Sequence, residues 1–523
     1  MIAFLDYGAG NVRSVLNALE KLGARVRIVG GAEDILSADK LIFPGVGAFG
    51  NMMAILHEKG LVEPLRAYLL SDRPFLGICL GLQALFDSSE EAPGVRGLGV
   101  IPGSVKRFSV DLSVPHIGWN GINIRKPSSI FTGLRGDEKF YFVHSYHVAP
   151  EDHGVVLTTT DYGHEFVSAI QKGNIVATQF HPEKSGTHGL EILKNFLQER
   201  STPSAPPPLS GPTRLAKRII ACLDVRANDQ GDLVVTKGDQ YDVREQGAVR
   251  NLGKPVDLAR QYYDQGADEI TFLNITGFRD FPLEDMPMLE VLKQTSRHVF
   301  VPLTIGGGIR DYTDKDGRRY SALEVAAEYF RSGADKVSIG SDAVDIAEAY
   351  LKTGRATGRS AIEAISRIYG NQAVVISIDP RRIYVASPRQ VSHHVIETTI
   401  PGAGGEHFCW YQCTVKGGRE GRDLDAVTLA QTCEKLGAGE ILLNCIDRDG
   451  TNAGFDLELI NAVKSAVSIP VIASSGAGCA KHFLEVFTQT QAESALAAGI
   501  FHRQEVPIGE VKRFLKGKVE IRD

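Results

Sequence analysis

Two groups of residues in this sequence carry side chains able to attack a carbonyl carbon or move a proton. The first joins Cys79, in "FLGICLGLQALF", to His181 and Glu183, in "QFHPEKS". "GICLG" has the form of a nucleophile elbow, in which a sharp turn from strand to helix presents the side chain and flanking glycines relieve the crowding. A thiolate at a helix N-terminus also gains from the helix dipole, which lowers its pKa. A cysteine in an apolar run is more often plain core, so the turn alone leaves both readings open. His181 and Glu183 decide for chemistry: the imidazole takes the thiol proton, and the carboxylate orients the ring and stabilises its charged form. "FPGVG" adds Gly45, Val46 and Gly47, whose backbone N–H groups, with that of Leu80, are placed to hold an oxyanion. The second group is Asp224 and Asp379, which close the apolar runs "RIIACLD" and "AVVISID". One such Asp reads equally as a helix cap. Two at matched places read as a general acid and a general base.

An open α/β sheet must position the first group. "IAFLDYG", a helical pattern through Val15 and Leu19, "RVRIV", "KLIFPG" and "PFLGIC" alternate strand with helix. That pattern predicts a mostly parallel sheet with ligands outside the carboxyl ends of its strands. "STPSAPPPLSGP" then breaks all periodicity and predicts a semi-rigid spacer at 201–213, dividing a domain at 1–200 from one at 214–523. Eight apolar runs follow, from "RIIACLD" to "SALAAGIF", mostly separated by helical patterns, which is the count that closes a (β/α)8 barrel. The segment Arg381 to Gly421 is too long for an ordinary connection and reads as an elaborated loop over the active face.

The barrel repeats itself. "IIACLDV" answers "VVISIDP", "LTIGGGI" answers "IASSGAG", and "VSIGSDAV" answers "ALAAGIF", which implies a two-fold axis along the barrel. Active sites of this fold lie at the carboxyl face, where glycine-rich turns hold phosphate through backbone N–H groups and a helix N-terminus. Gly307 and Gly308 with Ser341 predict one anion site; Gly476 and Gly478 with Gly499 predict another across the mouth. Glycines also serve tight turns, but two related sets point to an elongated substrate with a phosphate at each end. Asp224 and Asp379 would face its middle, and Lys237, Asp449, Gly450 and Thr451 lie on loops able to reach it. At the opposite end, Arg218, Glu269, Lys336 and Glu440 stand at strand starts, where two cations and two anions pair as a plug or as ordinary salt bridges closing the floor.

Composition narrows the class. The 523 residues are 43% apolar and 23% charged, a globular mix, and the formal charge of −6 argues against a nucleic-acid surface. Seven cysteines without paired spacing indicate buried free thiols in a reducing compartment. "CWYQC" has no partner Cys or His pair to complete a zinc site, and no metal or cofactor is expected. No apolar run approaches the roughly 20 residues that cross a bilayer.

These motifs carry a resemblance. "GICLGLQ" with "QFHPEKS" is similar to the class I glutamine amidotransferases, whose Cys, His and Glu release ammonia from glutamine. "DYGAGNVRS", "FPGVGAF", "IGWN" and "FVHSY" narrow this to the glutaminase of the imidazole glycerol phosphate synthase family, and "GGGIRD", "GADKVSIG", "VVISIDPRR", "GEILLNCIDRDGT" and "VIASSGAG" resemble its cyclase barrel. The resemblance implies glutamine hydrolysis at Cys79 and attack of the ammonia on phosphoribulosyl-formimino-aminoimidazole-carboxamide ribonucleotide, a bis-phosphate. It also implies glutamine contacts from Gln83, Ser145 and Tyr146, Asp224 and Asp379 as the acid–base pair, a charged gate at Arg218, Glu269, Lys336 and Glu440, and an interdomain pair of Lys184 with Asp335. On this reading the glutaminase docks on the barrel floor within one chain, expected to be a monomer, and ammonia crosses the barrel core. The turn reads "SSGAG" where many bacterial members have "SGGAG", so Ser475 is a departure. Fusion of both activities, with long loops around Tyr312 and Ser387, resembles the eukaryotic form. The wording resembles plant members, which implies a plastid location with its leader absent here; the cytoplasm of fungal fusions is the alternative. Two rivals are a sugar-phosphate isomerase on the same repeated barrel and a metabolite sensor with a relic glutaminase. The first has no use for Cys79, His181 and Glu183, and the second has no need to keep them.

Overall fold

The computed structural model describes residues 1–523 apart from 9, 199–210, 229, 231, 237–243, 246–247, 250, 276–282 and 284–285. Most of the expected spacer and all of Lys237 therefore lie outside the described residues.

The first 198 residues build an 11-stranded sheet. Its parallel part runs in the order Val26–Ile28, Ile2–Phe4, Lys40–Gly45, Phe75–Cys79, Ile175–Thr178. It continues antiparallel through His164–Lys172, Tyr146–Pro150 and Gly103–Arg107. Lys40–Gly45 and Phe75–Cys79 are buried along their whole length, as parallel strands covered on both faces must be. The helix Val12–Lys21 starts where the Asn11 side chain accepts from Ser14 N, and it buries Val15, Ala18 and Leu19. A separate ribbon pairs His116–Gly121 with Lys139–His144.

After residue 213, eight parallel strands close on themselves: Arg218–Ala227, Glu269–Asn274, Leu303–Gly306, Lys336–Ile339, Val374–Ile378, Glu440–Asn444, Val471–Ser474 and Ser494–Ala497, with the last hydrogen-bonded to the first. All eight expected runs form strands. The two-residue period sorts their side chains. Ile219, Ala221, Leu223 and Val225 pack outward in the large core, while Ile220 and Cys222 join Val375, Leu442, Ile472 and Leu496 in a separate inner cluster. Along the same inward face of the first strand, Arg218 lies below that apolar layer and Asp224 above it. Glu440, Leu442 and Asn444 repeat the order on the sixth strand, so the barrel has a charged floor, a dry middle and a polar mouth.

The segment after the fifth strand differs from the expected loop. Pro380–Val385, Val395–Glu397, Phe408–Val415 and Glu420–Asp425 form an antiparallel sheet of their own. Its "FCWYQCTV" strand is rich in aromatic and β-branched residues, which suit a pleated, half-buried surface, and Cys409, Trp410, Tyr411 and Cys413 are buried. Arg382 donates to both oxygens of Asp456, to which the Tyr411 hydroxyl also donates, at 2.7–3.0 Å. Asp456 is also the N-cap of Leu457–Lys464. One buried carboxylate thus ties the inserted sheet to a barrel helix.

Candidate functional site

Cys79 sits at φ 53°, ψ −103°, a strained turn between its strand and the short helix Leu80–Gln83. The turn is possible because its neighbours lack a Cβ: one on Gly81 would lie 2.1 Å from the Phe43 carbonyl oxygen, and one on Gly45 would lie 2.3 Å from Leu80 Cβ. The structure brings His181 and Glu183 to the same place. His181 Nδ1 and Glu183 Oε1 are 2.7 Å apart and both residues are buried. Burial opposes charge on the ring, but Glu183 and then Cys79 outweigh it and hold the His181 pKa well above its ordinary value. A protonated imidazole beside the sulfur is the state in which the thiolate is favoured.

The thiol has a partner that the motifs did not disclose. Gln179 Nε2 donates to Cys79 Sγ at 3.4 Å, while Gln83 Nε2 donates to Gln179 Oε1 at 3.2 Å and to the Tyr146 carbonyl at 3.1 Å. Gln83 therefore reaches Cys79 through a second amide. The Val46 carbonyl accepts from Tyr7 Oη at 2.6 Å, Gly47 takes φ 128°, and Ser145 Oγ donates across to Asn371 of the barrel at 3.3 Å.

Behind the thiol, a cavity of about 40 Å³ is lined by Cys79, His181, Tyr141, Lys184, Asp335 and Lys336. It ends at the barrel floor, where four buried charges alternate. Arg218 Nη1 is 2.7 Å from Glu269, Lys336 Nζ is 2.6 Å from both Glu269 and Glu440, and Arg218 also pairs with Glu440. Burial opposes every one of these charges. The opposite neighbours win, raising the pKa of Arg218 and lowering that of Glu440. Tyr141 places beside this square a buried hydroxyl that has no hydrogen-bond partner among the described residues. Burial and Glu269 raise its pKa, so it stays neutral. Lys184 and Asp335 pair at 2.6 Å, with Asn11 Nδ2 donating to Asp335 at 2.8 Å. Trp119 Nε1 donates to the Asp268 carbonyl at 3.1 Å, and Asn17 Nδ2 donates to Ser296 Oγ at 2.9 Å.

At the other end of the barrel strands, a cavity of about 470 Å³ is lined by Asp224, Asp379, Asp449, Gly450, Gly476 and Gly499. Burial raises the Asp379 pKa, Asn444 pulls it back by donating to Oδ1 at 2.9 Å, and Asp449 raises it further. A carboxyl raised in this way holds a proton more readily than a free one, which suits proton transfer. Asn444 and the turn residues Gly417 and Gly418 of the inserted sheet line the same space, though sequence reasoning singled out neither. Gly307, Gly308 and Ser341 stand at their strand ends outside this cavity; Lys416 N, one residue before Gly417, donates to Ser341 Oγ at 3.0 Å. Thr451 Oγ1 donates to the Arg448 carbonyl of its own loop, and Gly478 N donates to His482 Nδ1 at 3.0 Å, so both are committed within their turns.

A Cys–His–Glu site on an open sheet, joined to the floor of a (β/α)8 barrel, defines a glutamine amidotransferase fused to a synthase barrel. Comparison with known proteins agrees in both halves. Residues 3–199 match the family described as glutamine amidotransferase class-I, and residues 218–507 match that described as histidine biosynthesis protein. The chain is 61% identical to the protein named imidazole glycerol phosphate synthase hisHF, chloroplastic, of Arabidopsis thaliana, over 100% of this chain and 89% of that one. It is 56% identical to the imidazole glycerol phosphate synthase hisHF of Emericella nidulans, over 99% and 98%, and 56% to that of Schizosaccharomyces pombe, over 98% of both. The chain belongs to the imidazole glycerol phosphate synthase family.

Proposed function

We propose that the chain converts glutamine and phosphoribulosyl-formimino-aminoimidazole-carboxamide ribonucleotide into glutamate, imidazole glycerol phosphate and aminoimidazole-carboxamide ribonucleotide. His181 takes the Cys79 proton and the sulfur attacks the glutamine amide carbon. Backbone N–H groups around Gly45, Val46, Gly47 and Leu80 hold the oxyanion, with Gln83, Ser145 and Tyr146 lining the glutamine side. The ring returns its proton to the departing ammonia, and water then hydrolyses the thioester. Asp224 and Asp379 move protons during attack by ammonia and ring closure, between cradles for the two phosphates in which Lys237 takes part. The working units are residues 1–200 and 214–523, joined through 201–213.

The observation that carries this reading is the cavity behind Cys79, which ends on Lys336 at the barrel floor. Ammonia in bulk water is mostly protonated and unreactive, so a glutaminase opening onto the floor of the barrel it supplies is what such a synthesis requires. Arg218, Glu269, Lys336 and Glu440 then stand as a gate on the route, and Lys184 with Asp335 holds the halves in line. Burial of Glu183 beside His181 also weighs against a relic glutaminase, since an idle site gains nothing from an ion pair costly to desolvate.

The test is synthesis of imidazole glycerol phosphate from the two substrates. Cys79→Ser is expected to lose glutamine-dependent synthesis and to recover it with excess ammonium salt. Isomerisation of the ribonucleotide without ring closure, or binding without turnover, would favour the rival readings. A single polypeptide acting as a monomer in the plastid stroma is the accompanying proposal. The relative named chloroplastic is more similar than the two fungal ones, and organelle fractionation separates plastid from cytoplasm.

A further inference from the structure

The two halves of the barrel differ in where they place a hydroxyl. In the repeat, Gly307 and Gly308 after the third strand correspond to Ser475 and Gly476 after the seventh, and Ser341 after the fourth strand corresponds to Gly499 after the eighth. The backbone keeps the correspondence: φ is 90° and 79° at Gly307 and Gly308, and 74° and 95° at Ser475 and Gly476. Position 475 therefore holds a side chain in the left-handed region, where glycine is the ordinary occupant and a Cβ is disfavoured. Ser475 lines the cavity that contains Asp224 and Asp379, beside Gly476 and Gly499. No protein group among the described residues engages its hydroxyl. Strain kept at such a place without a structural return is a mark of function.

We infer that Ser475 supplies, to the anionic end of the substrate held by the second half of the barrel, the hydroxyl that Ser341 supplies in the first half. Each half then offers one serine, carried on the turn after the seventh strand in one and after the fourth in the other. In the first half Ser341 Oγ already accepts from Lys416 N, which leaves its O–H to donate. In the second half Gly499 carries no hydroxyl, and Ser475 makes good the loss from the neighbouring strand. The exchange makes the two ends of a pseudo-symmetric mouth unlike, and so helps set which way round a substrate with two phosphates lies. This inference rests on the synthase reading given above.

Steady-state kinetics with the ribonucleotide at saturating ammonium salt, which bypasses Cys79, test it on the full chain. Ser475→Gly removes the hydroxyl and relieves the backbone, so its thermal midpoint is expected to hold while KM for the ribonucleotide rises on the order of tenfold or more, the scale of a lost hydrogen bond to a charged group. Adding Gly499→Ser should restore KM. The three atoms nearest a Cβ at 499 all belong to the guanidinium of Arg503, the closest at 2.8 Å, which is the far end of a flexible side chain. An unchanged KM in Ser475→Gly, or a raised KM that Gly499→Ser does not lower, overturns the inference. Failure of the unsubstituted chain to make imidazole glycerol phosphate would instead overturn the synthase reading, so the two failures are distinct.

Discussion

Cys79 is defined by what crowds it. Its backbone is held where only a glycine-lined turn allows, and its sulfur faces an amide N–H from Gln179 and an imidazole held charged by Glu183. Gln179→Leu removes the N–H without opening the core. Glutamine hydrolysis is expected to slow by roughly tenfold, as for one hydrogen bond to an anion. A rate of glutamine hydrolysis unchanged by the substitution would reduce Gln179 to a packing residue. The sequence disclosed Cys79, His181 and Glu183 because a thiol between glycines and "HPE" are rare combinations of reactive types. Gln179 and Tyr141 escaped because an amide and a phenol in β-rich runs look like any strand residue. Only the fold turns Gln179 toward the sulfur and Tyr141 toward the floor.

The elements were legible in proportion to their burial. Parallel strands covered on both faces are continuous apolar runs, and all eight barrel strands could be counted from them. The inserted sheet was not, because its antiparallel strands are tied down by Arg382, Asp456 and Tyr411, polar contacts between residues far apart in the chain. The charged square at the barrel floor makes the opposite demand on energetics. Glu269 neutralises Arg218 and Lys336 where all three side chains are buried from solvent, and it also accepts from Thr304 Oγ1 at 2.7 Å. Glu269→Gln leaves those cations sharing only Glu440, and removing one partner of a buried ion pair typically costs about 3–5 kcal/mol. Urea unfolding followed by tryptophan fluorescence should show a loss on that scale. A loss below about 1 kcal/mol, within the range of surface pairs, would show that water already enters the floor.

Across the whole molecule, titration and tethering follow from the same packing. His116 and His144 are buried side by side, their ring nitrogens 3.1 Å apart. Burial lowers the His116 pKa well below its ordinary value and that of His144 to about 3. Between about pH 5 and 6.5 the unfolded chain binds protons that these folded rings refuse, so stability rises with pH in that window. The loss by pH 5 is on the order of 2 kcal/mol per ring. His181, with its pKa raised, acts in the other direction and only above about pH 6.5. Denaturant midpoints measured from pH 7.5 to 5 should fall, and less steeply in His116→Phe, which keeps the stack on Tyr162 at 4.0 Å; parallel curves would exclude the ring. The contacts between the halves, such as Lys184 with Asp335 and Trp119 with the Asp268 carbonyl, join parts of one polypeptide. Covalent linkage of this kind supplies an effective concentration on the order of millimolar. Activity per molecule should then be the same at nanomolar and micromolar protein, where a pair of separate subunits would come apart. The ratio of nitrogen donor to acceptor is fixed at one when the chain is made, and no surplus of either half can arise.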